Sequence, residues 1–161
     1  MTAVSVRRAV PEDADAAIAV VRESITRLCV ADHQNDPSAL EPWLRNKTAE
    51  TFVRWVDSAD NHVVVAEVDS AIAGVASLRK AGEIQLFYVA PDKQRRGIGA
   101  ALLAALETQA RASGLDTLVL NSTVGARAFY ERNGFTPSGA PVPGAGASLS
   151  FPYQKGLGQR R

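Results

Sequence analysis

The sequence predicts an α/β (α+β) domain: a mixed, mainly antiparallel central sheet of about six to seven strands, flanked by helices. Three observations carry that expectation. Three apolar, strand-like runs follow one another between residues 62 and 89, separated only by tight turns, which is the pattern of an antiparallel meander. A strongly helical run, Ile98 to Ala112, then separates the last of these from a further apolar run at Thr117 to Asn121. A strand–helix–strand crossover of that length makes the two flanking strands parallel. The first thirty residues, by contrast, repeat at helical spacing.

Taken in order, Ser5 to Ala9 reads as a first strand. Pro11, Glu12 and Asp13 read as a helix start, with proline and acids in the first turn. Ala14, Ala17, Ile18, Val21, Ile25 and Leu28 recur at steps of three and four, giving this helix one apolar face that ends near Val30. Ser38 to Asn46 forms a second helical piece, and Thr48 caps a third that carries Phe52, Val53 and Val56 inward. Trp43 and Trp55 fall at helical spacing and read as core. His62 to Val68 is a strand, Asp69 and Ser70 a turn, Ala71 to Leu78 its partner, and Glu83 to Val89 the fourth strand. Gly114 ends the long helix, and Thr117 to Asn121 is the fifth strand. A short helix runs from Gly125 to Arg132, and Phe135 opens a sixth strand. Residues 137–147 are rich in Pro, Gly and Ala and read as a mobile loop. Ser148 to Lys155 is a last strand, placed at an edge by Pro152, and residues 156–161 read as a loose tail.

At 161 residues the chain suits one domain, 1–161, with a full hydrophobic core. Its formal net charge of +1 gives no warrant for a nucleic-acid partner. A local patch such as Arg95, Arg96, Arg127 and Arg132 would have to supply one. No apolar run approaches a bilayer span, so no membrane partner is expected. Residues 1–10 lack a signal-peptide core, so the expected compartment is the cytoplasm. One cysteine, Cys29, excludes an intrachain disulfide and a multi-cysteine metal site. The two histidines, His33 and His62, show no ligand spacing, so no metal is expected.

Chemistry concentrates between the fourth strand and the long helix. There stand Gln94, Arg95, Arg96, Gly97, Ile98, Gly99 and Ala100. The first turn of a helix carries unpaired N–H donors and the positive end of the helix dipole. Glycine removes side chains that would hold an anion away, and arginine adds charge-assisted bonds to phosphate oxygens. The stretch therefore reads as a site for a phosphate-bearing cofactor. A P-loop would need Gly-Lys-Ser/Thr here, and a dinucleotide fingerprint would need Gly or Ala at the position of Leu102, so neither fits.

The pattern Gln/Arg-x-x-Gly-x-Gly/Ala formed by Gln94 to Gly99 resembles the acyl-CoA-binding segment of the GNAT superfamily of N-acetyltransferases. Asn121, Ala128, Phe129, Tyr130, Gly134 and Phe135 match a second motif of that superfamily, in the same order. Together the motifs cover residues 60 to 136. The resemblance implies a GNAT-like fold in which the parallel fourth and fifth strands splay apart around the cofactor arm. It implies acetyl-CoA (coenzyme A) as cofactor, and a primary amine of a small molecule or peptide as acceptor, acetylated by direct attack. The backbone of Phe87, Tyr88 and Val89 would bind the pantetheine and polarise the thioester carbonyl. Asn121, Ala128 and Arg132 would hold the cofactor further along. Tyr130 would protonate the departing thiolate.

The ammonium of an acceptor must lose a proton before attack. Glu83, at the start of the fourth strand, is the candidate base, and alternation places it on one face with Gln85, Phe87 and Val89. His33 is a second candidate. With Asp36 it is also assigned to acceptor binding. A module that binds acyl-CoA and regulates without catalysis is the alternative reading. Homodimers are common in the superfamily, and the oligomeric state is left open.

Overall fold

The computed structural model describes residues 3–94, 96–144 and 148–158. In chain order the elements are β1 (Ser5–Arg8), a single tight helical turn (Pro11–Asp13), α1 (Ala14–Leu28), α2 (Val30–His33), α3 (Pro37–Leu44) and α4 (Ala49–Asp57). Then come β2 (Asn61–Val68), β3 (Ala71–Arg79), β4 (Ile84–Val89), a second tight turn (Pro91–Lys93), α5 (Ile98–Ala112) and β5 (Thr117–Ser122). The chain closes with α6 (Arg127–Arg132), β6 (Thr136–Pro137), β7 (Val142–Pro143) and β8 (Leu149–Gly156).

The strands form two sheets rather than one. The meander gives a four-stranded antiparallel sheet in the order β1-β2-β3-β4. The second sheet runs β5-β8-β6, with β7 paired to β8. The two sheets are joined by one parallel bridge between Glu83 and Val119 and by a hydrogen bond from the Val119 N–H to the Gly82 carbonyl, 3.0 Å. Buried side chains from α1, α4, α5 and both sheets form one cluster, including Val21, Ile25, Phe52, Val65, Leu102, Leu106, Leu118 and Tyr153.

Four local expectations change. The first helix does not run on smoothly: it breaks at Cys29 (φ −102°, ψ 26°) and resumes as α2. The Ile25 carbonyl, which a continuous helix would give to Cys29 alone, is shared with the His33 ring at 2.9 Å. Pro152 is not on an edge strand, because β8 lies between β5 and β6. Its carbonyl accepts the Ser138 N–H at 3.0 Å. In an antiparallel strand a residue's N and C=O point the same way, so the proline nitrogen faces the side where β6 has already ended and removes nothing from the β5 ladder. Part of the 137–147 segment is strand: β7 pairs Val142 with Ser150 and Pro143 with Leu149. The supposed tail is held as far as Leu157, which is 8% exposed and whose N–H bonds the Asp116 carbonyl at 2.8 Å.

Caps set the helix starts. Asp36 Oδ1 accepts the Ser38 N–H at 3.0 Å to begin α3, and Thr48 Oγ1 accepts the Thr51 N–H at 3.2 Å to begin α4. Lys155 of β8 reaches Glu107 of α5 at 3.1 Å. Tyr153 of β8 donates to Glu131 of α6 at 2.7 Å. Both helices that flank the future site are thus tied to the same strand.

One ion pair anchors the N-terminal strand. Arg7 grips Asp13 with two 2.8 Å bonds, one to each carboxylate oxygen, and Glu67 with a third at 2.6 Å. Asp13 Oδ2 also accepts the Val10 N–H at 2.9 Å. Arg7 foremost, and then this N–H, hold the Asp13 carboxyl below the usual carboxylate range against the opposing effect of burial. A depressed carboxylate contributes stability that is present above its unfolded pKa and lost as pH falls through the folded value. Asp13→Asn should therefore cost about 2 kcal/mol at neutral pH. The gap from the parent should close as pH drops below about 4, read as urea midpoints at pH 7 and pH 3. An equal gap at both would show that the charge does not matter.

Candidate active site

The site begins with a bulge in β4. Ser77 pairs with Leu86, and the next residue, Leu78, pairs with Ile84, so Gln85 is an extra residue on β4. A bulge bends the strand and locally increases its twist. The Leu86 N–H is satisfied by Ser77 Oγ at 3.1 Å, and Ser77 is only 1% exposed. The bulge breaks the alternation that would place Glu83, Gln85, Phe87 and Val89 on one face. Phe87, Tyr88 and Val89, past the bulge, all border the cleft.

Beyond the bulge the backbone settles into a definite direction. The Ala90 N–H bonds the Ala73 carbonyl of β3 at 2.8 Å. Since successive residues alternate, the N–H and C=O of Tyr88 face β3, while those of Phe87 and Val89 face away from it, toward β5. No ladder joins β4 to β5. The gap between them is one wall of a cleft of about 600 Å³.

At one end of the cleft α5 starts at Gly97, whose φ of 77° is left-handed and suits glycine. The first bond made within α5 is from the Ala101 N–H to the Gly97 carbonyl, 3.0 Å. The N–H groups of Ile98, Gly99 and Ala100 therefore have no acceptor within the helix. All four of these residues line the cleft, as do Gln94, Asn121, Ala128 and Arg132. Arg96 is exposed and is not among the lining residues. Arg95 lies outside the described residues.

Tyr130 lies further in. Its ring is 5% exposed and is packed edge-on by Phe87, Phe129 and Phe135 at centroid distances of 5.8, 5.4 and 5.5 Å. Burial, and then the neighbouring Tyr88 and Cys29, push its phenol well above the usual tyrosine range, so the hydroxyl keeps its proton at neutral pH. Tyr88 is likewise raised to about 12, chiefly by burial and partly offset by the Trp43 indole.

Other residues of the cleft wall are marked by no motif in the sequence. Ser24, Leu28 and Cys29 of the α1–α2 elbow line the cleft, together with Gln85 and Thr123. They carry no motif; the helix break at Cys29 and the bulge at Gln85 expose them. Burial, with a smaller effect of Asp32, pushes the Cys29 thiol up to about 12, so it stays a thiol and is a poor nucleophile.

The proposed proton acceptors lie elsewhere. Glu83 does not line the cleft; its Oε1 is 3.7 Å from Arg79 Nη1, beside the bridge between the sheets. His33 is 1% exposed. Its Nδ1 accepts the Asn35 N–H at 3.0 Å, so the 2.9 Å contact of Nε2 with the Ile25 carbonyl is a donation by the neutral ring. Both ring nitrogens are engaged by backbone groups. Asp36 is exposed and spent on the α3 cap. The cleft-lining residues described here include no carboxylate and no imidazole.

The fold and the two motifs together define a class, and sequence comparison agrees. The GNAT acetyltransferase domain model matches residues 21–157, and the chain belongs to that family. The chain is similar to the amino-acid acetyltransferase of Azotobacter vinelandii, 41% identical over 97 residues, which take in 56% of this chain and 22% of that protein. It therefore spans about a fifth of the length of such curated relatives. Among solved structures it resembles a GCN5-related N-acetyltransferase from Rhodopseudomonas palustris, with a TM-score of 0.85 at 24% identity over 97% of both chains. It also resembles the PaiA N-acetyltransferase of Thermoplasma acidophilum in complex with coenzyme A, with a TM-score of 0.81 at 22% identity over 96% of this chain and 99% of that one. At these identities the structural likeness speaks for the fold: mixed α/β, with antiparallel sheets flanked by helices.

Because the buried Ser77 hydroxyl accepts the Leu86 N–H at the bulge, Ser77→Ala removes that acceptor. The variant should lose about 1–2 kcal/mol of stability in urea unfolding. An unchanged midpoint would mean that the bulge holds itself without the serine.

Proposed function

We propose that this chain transfers an acetyl group from acetyl-CoA to a primary amine of a small molecule or peptide. The observation that carries the reading is the single cleft: it runs from the uncapped N-terminus of α5, between the unpaired edges of β4 and β5, to the buried phenol of Tyr130. An N-terminal helix turn opened by glycine suits a pyrophosphate, and the gap between the strands suits an extended, hydrogen-bonding arm. When bound, acetyl-CoA would supply the acetyl group as a thioester.

The chain's own groups then divide the work. The N–H groups of Ile98, Gly99 and Ala100 receive the phosphates, with Gln94 and Arg132 beside them and the exposed Arg96 adding positive charge nearby. Phe87 and Val89 offer backbone N–H and C=O groups to the arm, and one N–H stabilises charge developing on the thioester oxygen. Asn121 and Ala128 border the arm on the opposite side. Tyr130 holds its proton at the phenolic oxygen until sulfur departs, then donates it. Transfer is direct: with Cys29 kept as a thiol there is no acyl-enzyme to form. The curated relatives make the α-amine of an amino acid the first acceptor to assay. The alternative, an acyl-CoA-binding regulatory module, is favoured by one observation, the lack of a carboxylate or imidazole among the described cleft-lining residues.

Two measurements test the reading. Calorimetry should show micromolar acetyl-CoA binding that is lost in a folded Arg96→Ala/Gly97→Glu variant; a well-folded parent that fails to bind removes the proposal. Tyr130→Phe keeps the ring packing and should lower turnover by about a hundredfold at unchanged acetyl-CoA affinity. Equal turnover would reassign the acid, and binding without transfer to any amine in a broad panel would favour the regulatory module.

A further inference from the structure

The region behind the acceptor-side wall holds a carboxylate that the cofactor chemistry does not use. Asp32, in the four-residue helix α2, is 6% exposed. Its Oδ1 accepts the Val124 N–H at 2.8 Å, a contact across 92 residues that straps α2 to the loop between β5 and α6. Its Oδ2 is buried and has no hydrogen-bond partner. No arginine or lysine pairs with it among the described ion pairs. A buried carboxylate normally has its charge matched, because leaving it unmatched is costly. Here one oxygen is fixed by backbone and the other is left over.

The position of this charge matters. The Asp32 N–H bonds the Cys29 carbonyl at 2.9 Å, and its Oδ1 holds Val124, which stands between Thr123 and Gly125; Cys29, Thr123 and Gly125 all line the cleft. The carboxylate therefore lies just behind the wall that faces an incoming acceptor. The cations that line the cleft, Lys93 and Arg132, come from the segments bordering the phosphate end. A negative charge at one end of a low-dielectric cleft and positive charges at the other give the cleft a polarity along its length. That polarity orders the two ligands: anion at α5, cation at the α1–α2 elbow.

We infer that Asp32 selects the acceptor as a cation, drawing its ammonium to the cleft wall formed by Cys29 and Thr123, with Oδ1 fixing the wall and Oδ2 supplying the attraction. The inference rests on the acetyltransfer reading and adds a positioning residue and a charge requirement to it. It also separates Asp32 from its neighbours: His33 is bonded at both nitrogens and Asp36 is spent on a helix cap, so Asp32 is the group of this segment with capacity left.

The test uses Asp32→Asn in the full chain saturated with coenzyme A. The amide oxygen can keep the Val124 bond, so the strap survives while the charge goes. Ligand-observed NMR with n-butylammonium and with n-butanol as its neutral counterpart gives the readout. The parent should bind butylammonium in preference to butanol, and the variant should lose about tenfold in butylammonium affinity with butanol unchanged. A merely structural role would weaken both probes equally, and that result overturns the inference, as does a parent that does not prefer the cation. In turnover assays the variant should raise the KM for an accepted amine about tenfold at unchanged acetyl-CoA affinity. If the parent acetylates no amine at all, the acetyltransfer reading fails, and the butylammonium comparison still decides the role of Asp32.

Discussion

The structure depends on two sheets that touch once. Glu83 and Val119 form a lone parallel bridge, and past it β4 and β5 go separate ways. Had the ladder continued, the peptide groups of Phe87 and Val89 would be consumed by β5 and no cleft would exist. The junction is built to be close but short. Gly82 sits at φ 101°, and a Cβ there would lie 2.8 Å from the Thr117 carbonyl oxygen, so only glycine lets the turn approach the start of β5. Three residues later the bulge at Gln85 bends β4 away. Turn and bulge are each stabilised by local hydrogen bonds, Val119 N–H to Gly82 and Leu86 N–H to Ser77. The opening is therefore fixed by the fold rather than imposed by a ligand.

With the opening fixed, burial sets the chemistry of what faces it. The same apolar packing that fills the space around Tyr130 raises its phenol and keeps its proton in place. It does the same to Cys29, and the consequences differ: a protonated phenol is a usable acid, whereas a protonated thiol is a poor nucleophile. One physical cause thus favours direct transfer over an acyl-enzyme. It also explains why His33 presents no free ring nitrogen to the cleft despite its residue type. A histidine buried to this degree must satisfy both nitrogens, and it does so by bonding the backbone of its own helical segment.

Much of the architecture could be read from the sequence because its signals are local. The meander follows from apolar runs and turn residues, the long helix from its periodicity, and the cap at Thr48 from its residue type. The second sheet was less legible. β6 and β7 are two residues each, too short to show any alternation, and Pro152 marks an edge only if one assumes that β6 runs past it. The bulge was invisible for a different reason: Gln85 is an ordinary strand residue, and the deciding group, the Ser77 hydroxyl, lies on another strand. An error of one residue there was enough to put Glu83 on the wrong face.

The same contrast explains why the two ends of the cleft differ in legibility. On the proposed reading, anion recognition at α5 would use consecutive backbone N–H groups, so its residue requirements are written contiguously between positions 94 and 100. Acceptor recognition has no such economy. Its wall is assembled from the α1–α2 elbow, the bulge of β4 and the loop after β5, and the contact that holds these together joins Asp32 to a backbone N–H rather than to a side chain. A backbone partner leaves no mark on residue type at position 124. A charge placed behind the wall also needs no fixed spacing from any motif, since Coulomb attraction acts over several ångströms in a water-poor cleft. Cofactor sites built on helix termini therefore announce themselves in sequence, and acceptor sites built on long-range contacts become readable only once the chain is folded.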